Sequence, residues 1–358
     1  MKKIILFILL RILICNYNLN NINILSQEKN IKCLNKKINF YLNNHNSTKR
    51  IDKKNLLLSL IIKYSLEKIL PFLKSLIRSG IGNCDVVFFI NQISETCINY
   101  LKSLGIILCE IPGKLDDPLI IYKYRWKFYR DYLIENKEKY NIVLSVDIRD
   151  TIIQNEFFKF YENSKPFIGY SFESANIENI INKDWIINNF GNKLLKTLEN
   201  KRVINAGTIW GTLNEFYEFS NILYEKLSIY PRVIDQTLAN YLIYHEKILK
   251  KCFQIKSDEF GRVLTLGLTK RKNIILDEEN NILNNNGQIA SIVHQYNRHP
   301  DLKKIIKSKY CPELIKFDFI KIFFIILESL TFVIFLKYII ALIKLKNSKK
   351  IISLDIKK

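Results

Sequence analysis

Tyr140-Asn141-Ile142-Val143-Leu144-Ser145-Val146-Asp147-Ile148-Arg149-Asp150-Thr151-Ile152-Ile153-Gln154 is the stretch on which the fold turns. Its first half is a short apolar run rich in β-branched residues, the pattern of a buried strand. The run stops at an acidic residue, an arginine and a second acidic residue. In open α/β sheets, ligands bind in the crevice beyond the carboxyl ends of the strands. Carboxylates placed there can hold a divalent cation against a diphosphate, because hard oxygen donors suit Mg²⁺ or Mn²⁺. The same residues also fit a capping aspartate with a local Asp–Arg pair, common in loops after strands. The segment by itself leaves both readings open.

Working outward, the punctuation on either side of this strand is regular. Towards the N-terminus, Asn55–Tyr64 reads as a strand and Leu66–Ser79 as a helix closed by Gly80. Asp85–Ile90 reads as a strand, Ser94–Leu104 as a helix closed by Gly105, and Ile106–Glu110 as a further strand. Ile121–Lys139 has the pattern of an amphipathic helix leading into the strand that ends at Asp147. Strands alternating with helical patterns give a mostly parallel, doubly wound α/β sheet flanked by helices. No internal repeat is visible.

Three polar motifs follow. Lys201–Gly211 sets Asn205, Gly207 and Gly211 among strand-like residues, where glycine lets backbone approach a ligand or marks a bulge. Asp235-Gln236 opens a helical pattern, where an aspartate is equally at home as an N-cap. His294 follows the short apolar run Ile292-Val293 and precedes Gln295-Tyr296-Asn297-Arg298. A neutral imidazole there can complete a metal site, and a lone histidine can equally be a hydrogen-bonded structural residue.

Taken in order, a strand-end acidic motif, Asn-x-Gly, Asp-Gln before a helix and a strand-end His resemble the glycogenin-like glycosyltransferases of the GT-A fold. The resemblance covers about residues 55 to 302. That group carries Asp-x-Asp, whereas this chain has Arg149 at the third position and Asp150 after it. A related set of GT-A-like sequences has Asp-x-Arg-Asp, a following Gln and a terminal His-Gln-Tyr-x-Arg. Asp147, Arg149, Asp150, Gln154, His294, Gln295, Tyr296 and Arg298 match it.

The resemblance implies a Rossmann-like domain that binds a nucleotide-sugar and transfers a hexose-type sugar to a hydroxyl of a glycan, protein or lipid. On that reading Asp147, Asp150 and His294 hold Mn²⁺ or Mg²⁺, and Tyr124, Arg125, Asn205 and Gly207 hold the nucleotide. Asp235 orients the sugar or acts as base, Gln236 hydrogen-bonds sugar or acceptor, and Arg149 neutralises the leaving diphosphate. A guanidinium binds diphosphate through bidentate hydrogen bonds, so a metal-independent variant working through Arg149 is the other scheme. The glycogenin-like resemblance leans towards retention at the anomeric carbon. A catalytically inactive GT-A-like membrane protein that binds a carbohydrate or partner is the competing function. A haloacid-dehalogenase-type phosphatase is disfavoured, since it needs Asp-x-Asp-x-Thr and Arg149 stands in place of the second acid.

Composition sets the outer limits. The chain has 358 residues, 48% of them hydrophobic, and a formal charge of +21. Such a charge usually points to a polyanion. Here the lysines are spread among Asn and Ile without an arginine-rich cluster, and no nucleic-acid module is present, so no nucleic acid is expected as partner.

Residues 1–15 read as a signal peptide or N-terminal anchor, and 16–54 as an Asn- and Lys-rich stem. Residues 55–312 form the GT-A-like domain. Residues 322–345 are long enough to cross a membrane, although Glu328 and Lys337 lie inside, and 346–358 make a basic cytosolic tail. These terminal hydrophobic helices place the chain in a secretory-pathway membrane with the catalytic domain lumenal. Cys33, Cys84, Cys97, Cys109, Cys252 and Cys311 are compatible with disulfides in such a lumen or with buried thiols. Asn46-Ser47-Thr48 is an acceptor sequon there.

Overall fold

A computed structural model describes residues 53–315, apart from 163, 231, 246–253 and 259–260, together with residues 329–339. The chain divides into two compact units between Lys303 and Lys304. Within the first unit lies a seven-stranded sheet of order β3-β2-β1-β4-β7-β6-β8. Its strands are β1 (Lys54–Ile62), β2 (Cys84–Asn91), β3 (Ile107–Glu110), β4 (Tyr140–Val146), β6 (Phe167–Asn176), β7 (Arg202–Thr212) and β8 (Gln254–Ser257).

The central strand β1 reads Leu-Leu-Leu-Ser-Leu-Ile-Ile because both faces of the sheet are covered. Leu56, Leu57 and Leu58 are all fully buried, so successive residues pointing to opposite faces both meet protein. The one polar residue in that run, Ser59, donates its hydroxyl to the Val146 carbonyl at 2.6 Å. Helix α1 (Leu66–Ser79) stops where the sequence pattern stops it, at Gly80 in the left-handed conformation with φ 64°. Helix α2 (Glu95–Ser103) is capped by Ser94, whose hydroxyl accepts from the Cys97 amide.

Helix α3 differs from the amphipathic helix expected over 121–139. It runs Pro118–Glu135, begun by Asp117 accepting from the Leu119 amide at 2.9 Å and by Pro118 in the first turn. It is not simply amphipathic, because Arg125 is buried beside Trp126 and Tyr129. The aromatic residues of α3 pack on helix α5 (Leu213–Ile229), Trp126 meeting Phe219 edge-on at 5.8 Å. Each such fully buried aromatic contributes about 1.5–3 kcal/mol from apolar burial.

Direction along the sheet follows the mostly parallel expectation, with one strand reversed. Strands β3, β2, β1 and β4 are mutually parallel, and β6 is parallel to β8, as expected of a Rossmann-like sheet. Strand β7 runs antiparallel to both β4 and β6. It carries Asn205-Ala206-Gly207, so this motif approaches the strand end of β4 from the opposite direction.

A second, three-stranded sheet of order β5-β12-β9 closes over that end. It joins β5 (Thr151–Ile153), directly after the acidic motif, antiparallel to β12 (Ile292–His294), with Thr151 opposite His294. Strand β9 (Val263–Thr265) lies parallel to β12 on its other side. A two-stranded ribbon, β10 (Ile275–Leu276) and β11 (Ile282–Leu283), lies in the segment between β9 and β12.

Helix α4 (Ile180–Leu198) connects β6 to β7 and breaks at Gly191. Helix α6 (Asp235–Tyr244) follows α5, and α7 (Pro300–Tyr310) follows β12. Residues 1–52 and 340–358 lie outside the described residues, so the predicted leader, most of the stem and the tail do too. Of the predicted span over 322–345, residues 329–339 are described and are helical. Among the described residues no helix is long and apolar enough to cross a membrane. No disulfide joins the cysteines among the described residues, and burial raises the Cys97 thiol to about 11. Cys33 and Cys252 lie outside those residues.

Candidate functional site

Strand β4 ends at Val146 and hands the chain to Asp147, whose amide donates to the Gly207 carbonyl at 2.8 Å. Opposite it, β7 is irregular. Tyr170 of β6 pairs with Ile209, but the next residue, Ser171, pairs with Asn205. Ala206, Gly207 and Thr208 are therefore extra residues in a bulge, a device that re-aims backbone and side chains at sheet ends. The Asn205 carboxamide holds the bulge by accepting from the Gly207 amide at 2.9 Å.

Gly207 has to be glycine. A Cβ there would collide with Cε1 of His294 and come within 2.7 Å of its Nε2 and 2.8 Å of Asp147 Oδ2. Carboxylate and imidazole thus line one small gap above Gly207. His294 reaches it because β12 pairs with β5, so the two motifs at opposite ends of the domain become neighbours.

Asp150 stands against the same imidazole, with Oδ1 3.4 Å from His294 Nε2. Burial by itself would lower the His294 pKa, but Asp150, helped by Asp147 and Glu173, outweighs it and holds the ring above its ordinary value. Desolvation pushes the Asp150 carboxyl up, and His294, Arg149 and Arg298 more than reverse that, leaving it below the usual carboxylate range. Among the described residues no three His, Cys, Asp or Glu side chains form a ready ligand cluster. The gap itself presents Asp147 and His294, and Asp150 is the partner of His294.

Arg125 is the residue that organises the other side of Asp147. Its Nη1 donates to Asp147 Oδ1 at 2.5 Å and its Nη2 to Asp235 Oδ2. Trp126 Nε1 donates to the same Asp235 oxygen at 3.1 Å, and the Gln236 amide to Asp235 Oδ1 at 2.9 Å. Both oxygens of Asp235 are therefore engaged. Asp235 is not the N-cap of α6, a position taken by Ile234; it is the first residue of the helix. Tyr124 is half-buried and packs its ring on Phe128 at 5.8 Å. Tyr122, which nothing in the sequence singled out, has its phenol raised by burial and feels the charges of Asp235, Arg125 and Asp147.

Arg149 goes the other way. Its side chain is 49% exposed, lies over the Tyr64 ring at 5.9 Å and comes no nearer than 3.8 Å to Asp150 Oδ2. About half of its side chain is thus open to solvent at the strand end.

A third group of side chains adjoins the bulge. Asn205 Nδ2 donates to Glu173 Oε1 at 2.9 Å and to Gln236 Oε1 at 3.3 Å. Gln236 Nε2 donates to Glu173 Oε1 at 3.1 Å and to Asn182 Oδ1 at 3.3 Å. Glu173, on β6, was not recognisable in the sequence. It is 5% exposed, and the partners of its carboxylate are neutral carboxamides, with no ion pair to a cation among the described residues. Its hydrogen-bond partners are thus neutral, and the cationic form of the nearby His294 ring is favoured by its charge.

Two residues of the matched motifs serve the scaffold. The Gln154 side chain donates to the carbonyls of Ile282 and Ala290 at 3.0 and 2.9 Å and accepts from the Ile282 amide at 2.9 Å. Gln295, in the left-handed conformation at φ 59°, donates its amide to the Asp150 carbonyl at 2.7 Å. Gly267 leaves the space that the Gln295 carboxamide fills.

No family model matches the chain. No curated protein matches it. Among solved structures, the glycosyltransferase GlyE of Streptococcus pneumoniae TIGR4 aligns at 13% identity and a TM-score of 0.41. The alignment covers 68% of this chain and 55% of that one, so the chain spans about half the length of that structure.

Proposed function

We propose that the chain is a glycosyltransferase that takes a sugar from a nucleoside diphosphate and places it on a hydroxyl of a glycan, protein or lipid. The observation that carries this reading is the convergence of Asp147 and His294 above the Gly207 bulge at a strand end, with Arg149 at the open side. A carboxylate and an imidazole around one gap would fit a hard divalent cation, Mn²⁺ or Mg²⁺, which on binding would displace the proton that Asp150 favours on His294 Nε2. Bound there, the cation would neutralise the diphosphate as it departs.

The chain's own residues supply the rest. Arg149 meets the diphosphate from the open side with a planar fork of donors. Asp235 positions Arg125, and Arg125 in turn fixes Asp147 Oδ1, so one oxygen of Asp147 stays available to the gap. Glu173, Asn205 and Gln236 form the polar floor against which the sugar hydroxyls are oriented. In the reaction the bond from the anomeric carbon to the diphosphate breaks, the acceptor oxygen forms the new bond, and the acceptor's hydroxyl proton passes to the departing diphosphate oxygen. The negative charge developing on the leaving group is where fixed donors help most. The resemblance to the glycogenin-like glycosyltransferases leans towards retention of configuration, with a hexose-type donor.

The binding-only alternative draws on one feature, the guanidinium of Arg125 already occupying one oxygen of Asp147. Thermal-shift measurements with a panel of nucleotide-sugars, each with Mn²⁺, Mg²⁺ or chelator, test binding, because a ligand of the folded state stabilises it by an amount that grows with the logarithm of its concentration over its dissociation constant. Turnover of the stabilising compound then separates the enzyme from a binding protein. Absence of stabilisation by every nucleotide-sugar would overturn the reading.

The reading includes a signal or anchor at 1–15, a membrane span over 322–345, a cytosolic tail and a lumenal domain in the secretory pathway. The support for the span is the apolar sequence over 322–345, since the eleven described residues 329–339 are too few to cross a bilayer. Protease protection in sealed microsomes tests it. A shielded C-terminal tag with a digested domain would reverse the orientation.

A further inference from the structure

A cavity of about 370 Å³ lies beside the site but does not include the Asp147 gap. Its lining includes Phe172 and Ser174 of β6, Arg202 of β7, and Thr269, Asn273 and Asn285 from the segment between β9 and β12. At that volume it is in the range of pockets that hold a small ligand, about 300–1,000 Å³. We propose that this cavity binds a carbohydrate carrying an acidic group, which on the reading above is the acceptor.

The chemistry of the wall sets the ligand class. The Arg202 guanidinium carbon lies over the Phe172 ring, 4.4 Å from its centroid, and the residue is exposed, which leaves donors open to a ligand. One of those donors, Nη2, reaches the Glu173 carbonyl at 3.5 Å. Among the described residues no carboxylate forms an ion pair with Arg202. A guanidinium seated over an aromatic ring is suited to a carboxylate or sulfate, which it meets with two parallel hydrogen bonds. The hydroxyls of Ser174 and Thr269 and the carboxamides of Asn273 and Asn285 carry no net charge and both donate and accept, as sugar hydroxyls require. The lining carboxylate, Asp258, is tied to the Val263 amide at 2.5 Å.

Position makes the cavity the place for a second substrate. Phe172 and Ser174 line it, while Glu173 between them sends its carboxylate into the Asn205 and Gln236 network. Thr265, also in the lining, pairs directly with His294 across β9 and β12. The cavity and the gap are thus separated by single strands, and a sugar seated in one lies next to the other.

The test uses the full chain and two probes, methyl glucuronide and methyl glucoside, with binding followed by ligand-observed NMR. The expected result is saturable binding of the glucuronide at least about tenfold tighter than that of the glucoside, the value of a charge-assisted hydrogen bond. Arg202→Gln should abolish that preference, and Arg202→Lys, which keeps charge without the fork, should restore part of it. Nucleotide-sugar thermal shifts recorded on the same variants report folding and the donor site independently. Equal affinity for both probes, binding of neither, or a preference that survives Arg202→Gln overturns the proposal. Donor binding without glucuronide binding rejects the cavity inference alone. Glucuronide binding dependent on Arg202, without any donor binding, upholds the cavity and rejects the transferase reading.

Discussion

Arg125 ties Asp147 to Asp235, giving one guanidinium nitrogen to each carboxylate. The three residues come from α3, the end of β4 and the start of α6, so this one side chain sets the relative position of three elements around the strand end. Arg125 and Asp235 are almost completely enclosed, while the Asp147 side chain remains 44% exposed.

Removing Arg125 should therefore be a stability lesion before it is a catalytic one. Arg125→Met leaves the buried Asp235 carboxylate without its cation, and breaking a buried pair costs about 3–5 kcal/mol. Chemical denaturation should show that loss, and the double variant Arg125→Met/Asp235→Asn should recover much of it. A cost below about 1 kcal/mol, the scale of an exposed pair, would mean that the pair is not holding these elements together.

The two schemes for the leaving group part company at Arg149. If a cation acts with Asp147, chelator abolishes turnover, Asp147→Asn removes the metal-dependent part of nucleotide binding, and Arg149→Lys slows the reaction without altering metal dependence. If the guanidinium acts alone, turnover survives chelator and Arg149→Lys is the more damaging change. Either loss of a donor at a developing charge should cost about 10²–10³ in rate. We expect the first pattern, and full activity in chelator would overturn it.

Glu173→Gln separates a task from a structural role. The amide keeps the shape and removes a buried charge whose carboxylate partners are carboxamides. Unfolding free energy should stay within about 1 kcal/mol or rise, as replacement of buried charge often does. Turnover of the nucleotide-sugar should fall at least about tenfold, the equivalent of about 1.4 kcal/mol in the transition state. Unchanged turnover in a folded variant would remove Glu173 from the site.

Gly207→Ala tests the bulge. The added methyl meets His294 and Asp147, so the gap closes even where the backbone tolerates alanine. We expect a folded protein whose melting temperature no longer responds to nucleotide-sugar. A normal response would mean that the ligand sits elsewhere.

The elements that the sequence makes legible are those governed by local rules. Leu66–Ser79 and its closing Gly80 are found where the pattern puts them, because a left-handed cap needs glycine. The strand before Asp147 is equally plain, since burial on both faces leaves little but apolar residues. The direction of β7 is not legible, because a strand's periodicity is the same in either direction. Arg125 reads in the sequence as a nucleotide contact through the resemblance, and its pairing with Asp235, 110 positions away, has no local signal. Glu173 has no local signal either, for it becomes a buried carboxylate only when β6, β7 and α6 assemble. Gln154 and Gln295 stand in the motif order beside the acidic and imidazole residues, yet the structure uses them as clasps.

The clasp between Gln154 and Ala290 spans 136 residues. Contacts of such separation form late, after the entropy of closing a long loop has been met. The large sheet can begin to assemble from β1 to β4 through shorter connections, whereas the small sheet that brings His294 to Asp150 waits for the far end of the domain. During synthesis the acidic motif therefore leaves the ribosome long before its imidazole partner exists. Hydrogen exchange during refolding should find β4 protected ahead of β5 and β12, with the chemistry of the site switched on as the closing event of folding.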